Sequence, residues 1–239
     1  RSTPLYSSAA SDVYKRQIIN DGSKDDSLKI IKKYMKIDSR IILIDQENIG
    51  LTKALNVGLK KVVGDYIARQ DADDISLPDR LSSFISYIEA HGKVDVYTTP
   101  AVLIENEVIV KTIPNFFRRN GFHPGMLNYG NSLVHGALII KSNLLNQYGY
   151  NEDFRYSQDF ELYHRLINAG YIIAYDKLNV SYGLRMHPQQ ICSIHKKTQY
   201  IAYERILTMN GYKSYSQTTL GRFFARCMDI FLYLKAKAL

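Results

Sequence analysis

The sequence predicts an α/β fold: a mostly parallel central sheet with helices on both faces. Three observations lead there. Short apolar runs alternate with stretches of helical periodicity, the pattern of strand–helix–strand units. The chain has 239 residues, 46% of them hydrophobic, which is enough for the core of one α/β domain. Acids gather in RQDADDISLPDR, directly after one apolar run, and open parallel sheets bind ligands beyond the carboxyl ends of their strands.

Residues 1–17, RSTPLYSSAASDVYKRQ, show neither helical nor strand periodicity and read as a non-native or disordered leader. The body is expected over residues 18–210. Ile18 and Ile19 lead into the turn formers Asn20, Asp21, Gly22 and Ser23. Leu28, Ile30, Ile31 and Tyr34 recur at helical spacing. Residues 40–45 read as a buried strand, and residues 50–62 as a helix with Leu51, Ala54, Leu55 and Leu59 on one face. Residues 66–69 form the strand that ends at the aspartates. Pro78 opens a helix at a favoured first-turn position, with Leu81, Phe84, Ile85 and Ile88 inward. Residues 94–99 are again strand. Residues 101–112 suggest a hairpin turning at Glu105 and Asn106, and residues 116–131 a loop. A strand over 135–141, a helix over 159–169, a strand over 171–175 and a helix over about 198–209 follow. Residues 211–239 make a basic, amphipathic tail in which Phe223, Phe224, Phe231 and Leu232 alternate with Arg222, Arg226 and Lys235.

The net charge of +8 favours anionic partners such as nucleotides or an anionic membrane surface. The positive charge is dispersed and no aromatic-basic motif stands out, which argues against nucleic acid. Cys192 and Cys227 lie far apart without metal-type spacing, so a reducing compartment is expected. No apolar run approaches the roughly 20 residues of a membrane span.

Asp71, Asp73 and Asp74 crowd like charges at a strand end. On an extended segment, carboxylates two apart point to the same side. A divalent cation or a ligand's hydroxyls between them would relieve the repulsion, and Mg²⁺ or Mn²⁺ shares its shell with phosphates. The plainer alternative is a solvated loop capping the next helix through Asp74 or Ser76.

Neighbouring segments weigh on that choice. IINDGSKDDS, ENIGLTKALNVGLKKVVGDYIARQDADDISLPDR and YNEDFRYSQDFELYHRL, with YGLRMHPQQICS more weakly, together resemble glycosyltransferase family 2. The resemblance implies the Rossmann-like A-type nucleotide-sugar-binding fold and an inverting, metal-dependent hexosyltransferase. It implies that Asp21 reads the nucleotide base, with Lys53 and Asp71 also in the donor site. It further implies that Asp73 and His187 hold Mn²⁺ or Mg²⁺, and that Asp159 is the general base. The family's acid before that base is Gln158 here, and Arg165 reads as a structural ion-pair partner. The implied partners are a nucleotide sugar, UDP-linked by expectation, and a glycan or lipid-linked acceptor of surface polysaccharide synthesis. The family's first strand and helix have no counterpart ahead of Ile18, so an inactive nucleotide-sugar-binding fragment is the alternative. A cytoplasmic location, with the tail on the inner face of the cell membrane, is the expected setting.

Overall fold

The computed structural model describes residues 15–114, 122–129, 131–188, 190 and 194–212. The expectations for the leader before residue 15, the tail beyond 212 and both cysteines lie outside the described residues.

Strand β1 (Arg16–Asp21) pairs in parallel with β2 (Ile41–Gln46), from Arg16 opposite Ile41 to Asp21 opposite Gln46. It begins two residues ahead of the expected body. The Gln17 amide donates to the Lys61 carbonyl at 2.7 Å and fastens that extension. Strand β2 is half-buried rather than buried, with only Ile44 fully covered. Helix α1 (Ser27–Met35) buries no side chain completely, and Ile30 stands 48% exposed. Helix α2 (Leu51–Leu59) buries Ala54 and packs Leu55 and Leu59 against the main core, the face its periodicity marks.

The chain continues through β3 (Tyr66–Ala68), β4 (Ile75–Ser76), α3 (Arg80–His91), β5 (Val96–Thr98), β6 (Ala101–Glu105) and β7 (Val108–Ile113). Then come β8 (Ile139–Lys141), α4 (Ser142–Tyr148), α5 (Gln158–Asn168), β9 (Ile173–Tyr175), β10 (Tyr182–Arg185) and α6 (Lys196–Met209). One sheet runs β3-β8-β5-β9 and another β4-β10-β6-β7. The α/β architecture is as expected, but the pairing is mixed. Strand β8 lies antiparallel to both β3 and β5, while β5–β9 and β6–β10 are parallel. A strand of three residues carries apolarity but no signal of direction, so its reversal was not legible.

Other departures are local. Pro78 precedes the helix by two residues, in a turn closed by Arg80 N–H to the Leu77 carbonyl at 3.1 Å. Ile85 is 37% exposed, because the inner face of α3 centres on Arg80, Phe84 and Tyr87. The hairpin turns one residue later than expected, at Asn106 and Glu107, with φ of 50° and 63°. Two positive φ values in a row give the turn whose twist suits a two-residue hairpin. Residues 135–137 form a 3-10 turn, so the strand there starts only at Ile139.

The main core joins β5, β8, α4, α5 and α6 through Val96, Ile140, Leu145, Phe160, Leu166 and Leu207. Helix α2 is clamped to the segment leading into α5. Thr52 Oγ1 donates to the Phe154 carbonyl at 2.9 Å, and the Asn56 side chain bonds both the Tyr150 carbonyl and the Tyr150 N–H at 2.8 Å. No helix among the described residues is long and apolar enough to cross a membrane.

Candidate active site

The turn after β1 is built by its own carboxylate. Asp21 accepts from the Gln46 amide at 2.8 Å, Ile49 N–H at 3.0 Å and Gly50 N–H at 2.9 Å. Burial pushes its carboxyl up, but these three donors outweigh that and hold it below the usual carboxylate range. The charge also sits at the start of α2, where a helix favours an anion. Gly22, at φ +73°, lets the backbone pass Asn48; a Cβ would lie 2.6 Å from Asn48 N. Lys53 is exposed on α2 and stands outside this bonded network.

At the end of β3 the chain turns at once, with Asp74 N–H reaching the Asp71 carbonyl at 3.3 Å. The segment is therefore not extended, so the strand alternation expected to put Asp71 and Asp73 on one side does not apply here. Each of the three acids instead has its own partner. Arg69 forks Asp71 through Nη1 and Nη2, at 2.5 Å each. His187 Nε2 meets Asp73 Oδ2 at 2.9 Å. Tyr182 Oη donates to Asp74 Oδ2 at 2.8 Å, and Arg185 N–H to Asp74 Oδ1 at 2.9 Å. Burial pushes the Asp74 carboxyl up to about 6, against the pull of those two donors. The helix-capping alternative fails, because Asp74 bonds β10 rather than α3. Ser76 lies in β4, and α3 starts at Arg80 without a side-chain cap.

Two residues that periodicity did not mark hold this turn. Tyr182 is fully buried, and its hydroxyl also accepts from Asp71 N–H at 3.2 Å. Arg80, 2% exposed, donates to the carbonyls of Arg69 and Gly136 at 2.7 Å and to Gln70 Oε1 at 3.0 Å. Its guanidinium carbon lies 5.0 Å from the centre of the Tyr182 ring. Gly136 leaves room for that ring, since a Cβ there would lie 2.0 Å from Tyr182 Oη. Gly136→Ala is expected to cost about 1–3 kcal/mol through overpacking. A thermal melt should show the loss. An unchanged melting temperature would mean that the ring moves freely.

Asp159 occupies the first turn of α5, after Ser157, whose φ of 60° is unusual for a residue with a Cβ. Its Oδ2 accepts from Asn131 Nδ2 at 2.6 Å. Burial raises its carboxyl above the usual range, while Asn131, the Phe160 N–H and the Arg69 charge pull it back. Arg69 thus forks Asp71 and acts electrostatically on Asp159. Around them, His135 bonds the Tyr150 hydroxyl at 2.9 Å, and burial followed by the Arg69 charge holds its imidazole neutral. Gln158 is buried, and Arg165 pairs with Glu161 while bonding the carbonyls of Tyr148 and Gly149. The structure therefore links Asp71 to Asp74 through Tyr182, sets Asp73 against His187 as a separate pair in the same turn, and brings Asp159 within reach of the Arg69 charge. Asp21 and Lys53 stand apart from these groups. No three potential metal ligands converge among the described residues. The Asp73–His187 pair fits a cation that completes its shell from phosphates.

This fold is the A-type glycosyltransferase architecture, as solved structures show. S. aureus TarS 1–349 in complex with UDP-GlcNAc matches 82% of the chain at TM-score 0.61 and 19% identity, covering 57% of that structure. The mannosyltransferase PcManGT from Pyrobaculum calidifontis, in complex with GDP-Man and Mn²⁺, matches 80% at TM-score 0.60 and 17% identity, covering 54% of that structure. An uncharacterized glycosyltransferase of Haemophilus influenzae is 28% identical over 194 residues, 76% of this chain and 59% of its own length. The O-antigen biosynthesis glycosyltransferase WbnJ of Escherichia coli is 32% identical over 165 residues, 68% of this chain and 63% of its own. The chain thus spans less than two thirds of these relatives. The glycosyl transferase family 2 model matches residues 11–149, and the chain belongs to that family.

Proposed function

We propose that the chain transfers a sugar, with inversion, from a nucleoside-diphosphate sugar to a hydroxyl of a glycan or lipid-linked acceptor in surface polysaccharide assembly. A UDP-sugar is the first donor to test. The setting we infer is the cytoplasmic face of the membrane, reached by the basic tail. The observation that carries this reading is Arg69, which forks Asp71 and whose charge also bears on Asp159. Its fork fixes the proposed donor-side acid, and its charge favours the ionised form of the candidate base.

Asp73 and His187 would hold Mn²⁺ or Mg²⁺, which, when bound, offsets the charge growing on the departing diphosphate. Asp71, fixed by Arg69 and Tyr182, faces the ribose end of the donor. Asp21 takes the base through the acceptor capacity left beside its three internal bonds, since a carboxylate offers about four lone-pair sites. Lys53 adds a mobile positive charge near the phosphates. Asp159 accepts the acceptor hydroxyl's proton as its oxygen attacks the anomeric carbon from the face opposite the diphosphate.

Calorimetry with uridine and guanosine diphosphates tests the donor half. Binding is expected to require Mn²⁺ or Mg²⁺ and to vanish in Asp73→Ala. Equal affinity in chelator would remove the metal from the reading. Binding with no sugar transfer across a donor panel would favour the inactive-fragment alternative.

A further inference from the structure

Asn131 sits just before the 3-10 turn that leads into β8, and residues 116–131 read from sequence only as loop. Its side chain makes two bonds that fix each other. Oδ1 accepts from Leu133 N–H at 3.3 Å, which turns the amide nitrogen toward α5. That nitrogen donates to Asp159 Oδ2 at 2.6 Å. The reverse orientation would set a carbonyl oxygen against the carboxylate and leave an N–H₂ group facing the Leu133 N–H, so one amide orientation is selected.

Among the described residues, Asn131 supplies the side-chain hydrogen bond that Asp159 accepts. From α5 itself come the Phe160 N–H and, one turn on, Tyr163, which is fully buried and whose hydroxyl has no partner among the described residues. From the end of β3 comes the Arg69 charge, largely spent on Asp71. From the segment after α4 comes Tyr150, bonded to His135. Tyr150 and Tyr163 are both pushed up by burial and stay neutral hydroxyls.

We propose that Asn131 is a positioning residue for Asp159: it ties down Oδ2, fixes the plane of the carboxylate and presents Oδ1 to the acceptor hydroxyl. The proposal rests on the reading of Asp159 as the base. A hydrogen bond donated to a carboxylate favours the charged form, and a base must be charged to act. Without Asn131, Asp159 holds its proton to higher pH, and the acid limb of activity moves up with it.

The test is a side-chain carboxyl ¹³C NMR titration of the whole chain, with the Asp159 signal assigned from its loss in Asp159→Asn. Asn131→Ala is expected to raise the Asp159 midpoint by about one pH unit. Asn131→Ser keeps an oxygen for the Leu133 N–H but is too short to reach Asp159. It should give the same shift, and it serves if the alanine variant does not fold. Release of nucleoside diphosphate from a panel of UDP- and GDP-sugars should fall at least tenfold below the midpoint and less than threefold on the alkaline plateau. A loss equal at every pH with an unmoved midpoint makes Asn131 structural and overturns the proposal alone. If Asp159→Asn still turns over within a few-fold of wild type, the base reading falls and the proposal with it.

Discussion

Asp159→Asn should cut sugar transfer by about 10² or more while leaving donor affinity within a few-fold of wild type. The substitution keeps shape and removes only basicity. Asn131 Nδ2, now 2.6 Å from a carboxylate oxygen, can donate equally to the new amide oxygen, so the loop keeps its anchor. The side-chain bonds of Asp71, Asp73 and Asp74 involve no atom of Asp159. Stability should move the other way. Burial raises the Asp159 carboxyl in the folded state, so ionising it disfavours folding as pH rises above its unfolded value. At neutral pH the neutral asparagine relieves that cost, and the variant should melt no lower than wild type. Lost transfer with retained or raised melting temperature marks a base placed at the expense of stability. Transfer close to wild type would remove Asp159 from the chemistry.

The legible parts of this molecule are those with period. Helices α1 and α2 and strand β5 stand within a few residues of where apolar spacing puts them. The crowding of Asp71, Asp73 and Asp74 was legible because like charges at a strand end call for explanation. The scaffold beneath them was not. Strands β4 and β10 have two and four residues, too few to show alternation. Helix α4 is seven residues of mixed character. Tyr182 lies in a stretch that reads as a motif rather than a strand, yet it links Asp71 to Asp74. Asn131 looks like any loop asparagine until the fold brings α5 against it. Sequence also suggested that a cation relieves the crowding of the acids. In the fold, Arg69, His187 and Tyr182 already share that task, and each comes from a different part of the chain or points back along it.

Arg80 carries the other large expected effect. At the start of a helix an arginine ordinarily reads as a solvated side chain. Here it is 2% exposed and bridges three pieces of backbone: Arg69 at the end of β3, and Gly136 and Leu138 on the approach to β8. It also bonds Gln70 and lies against the Tyr182 ring. Burial lowers its guanidinium to about 10, so it remains charged at neutral pH. Carbonyl dipoles, the ring face and the nearby Asp71 charge compensate it. Arg80→Met would keep much of the volume but strand those carbonyls away from water. Leaving a buried acceptor without its donor costs about 1–3 kcal/mol, and the substitution strands more than one of them. For a chain of this size each kcal/mol is worth about 2–4 °C, so a drop of about 10 °C is expected. Arg80→Lys keeps the charge but cannot fork, and should fall between the two. Because the same guanidinium fixes the start of the Asp71–Asp74 turn, nucleoside diphosphate affinity in the lysine variant should weaken as well, measured by calorimetry well below its melting point. A methionine variant that melts within 2 °C of wild type, roughly one kcal/mol or less, would show that the turn holds without the clamp.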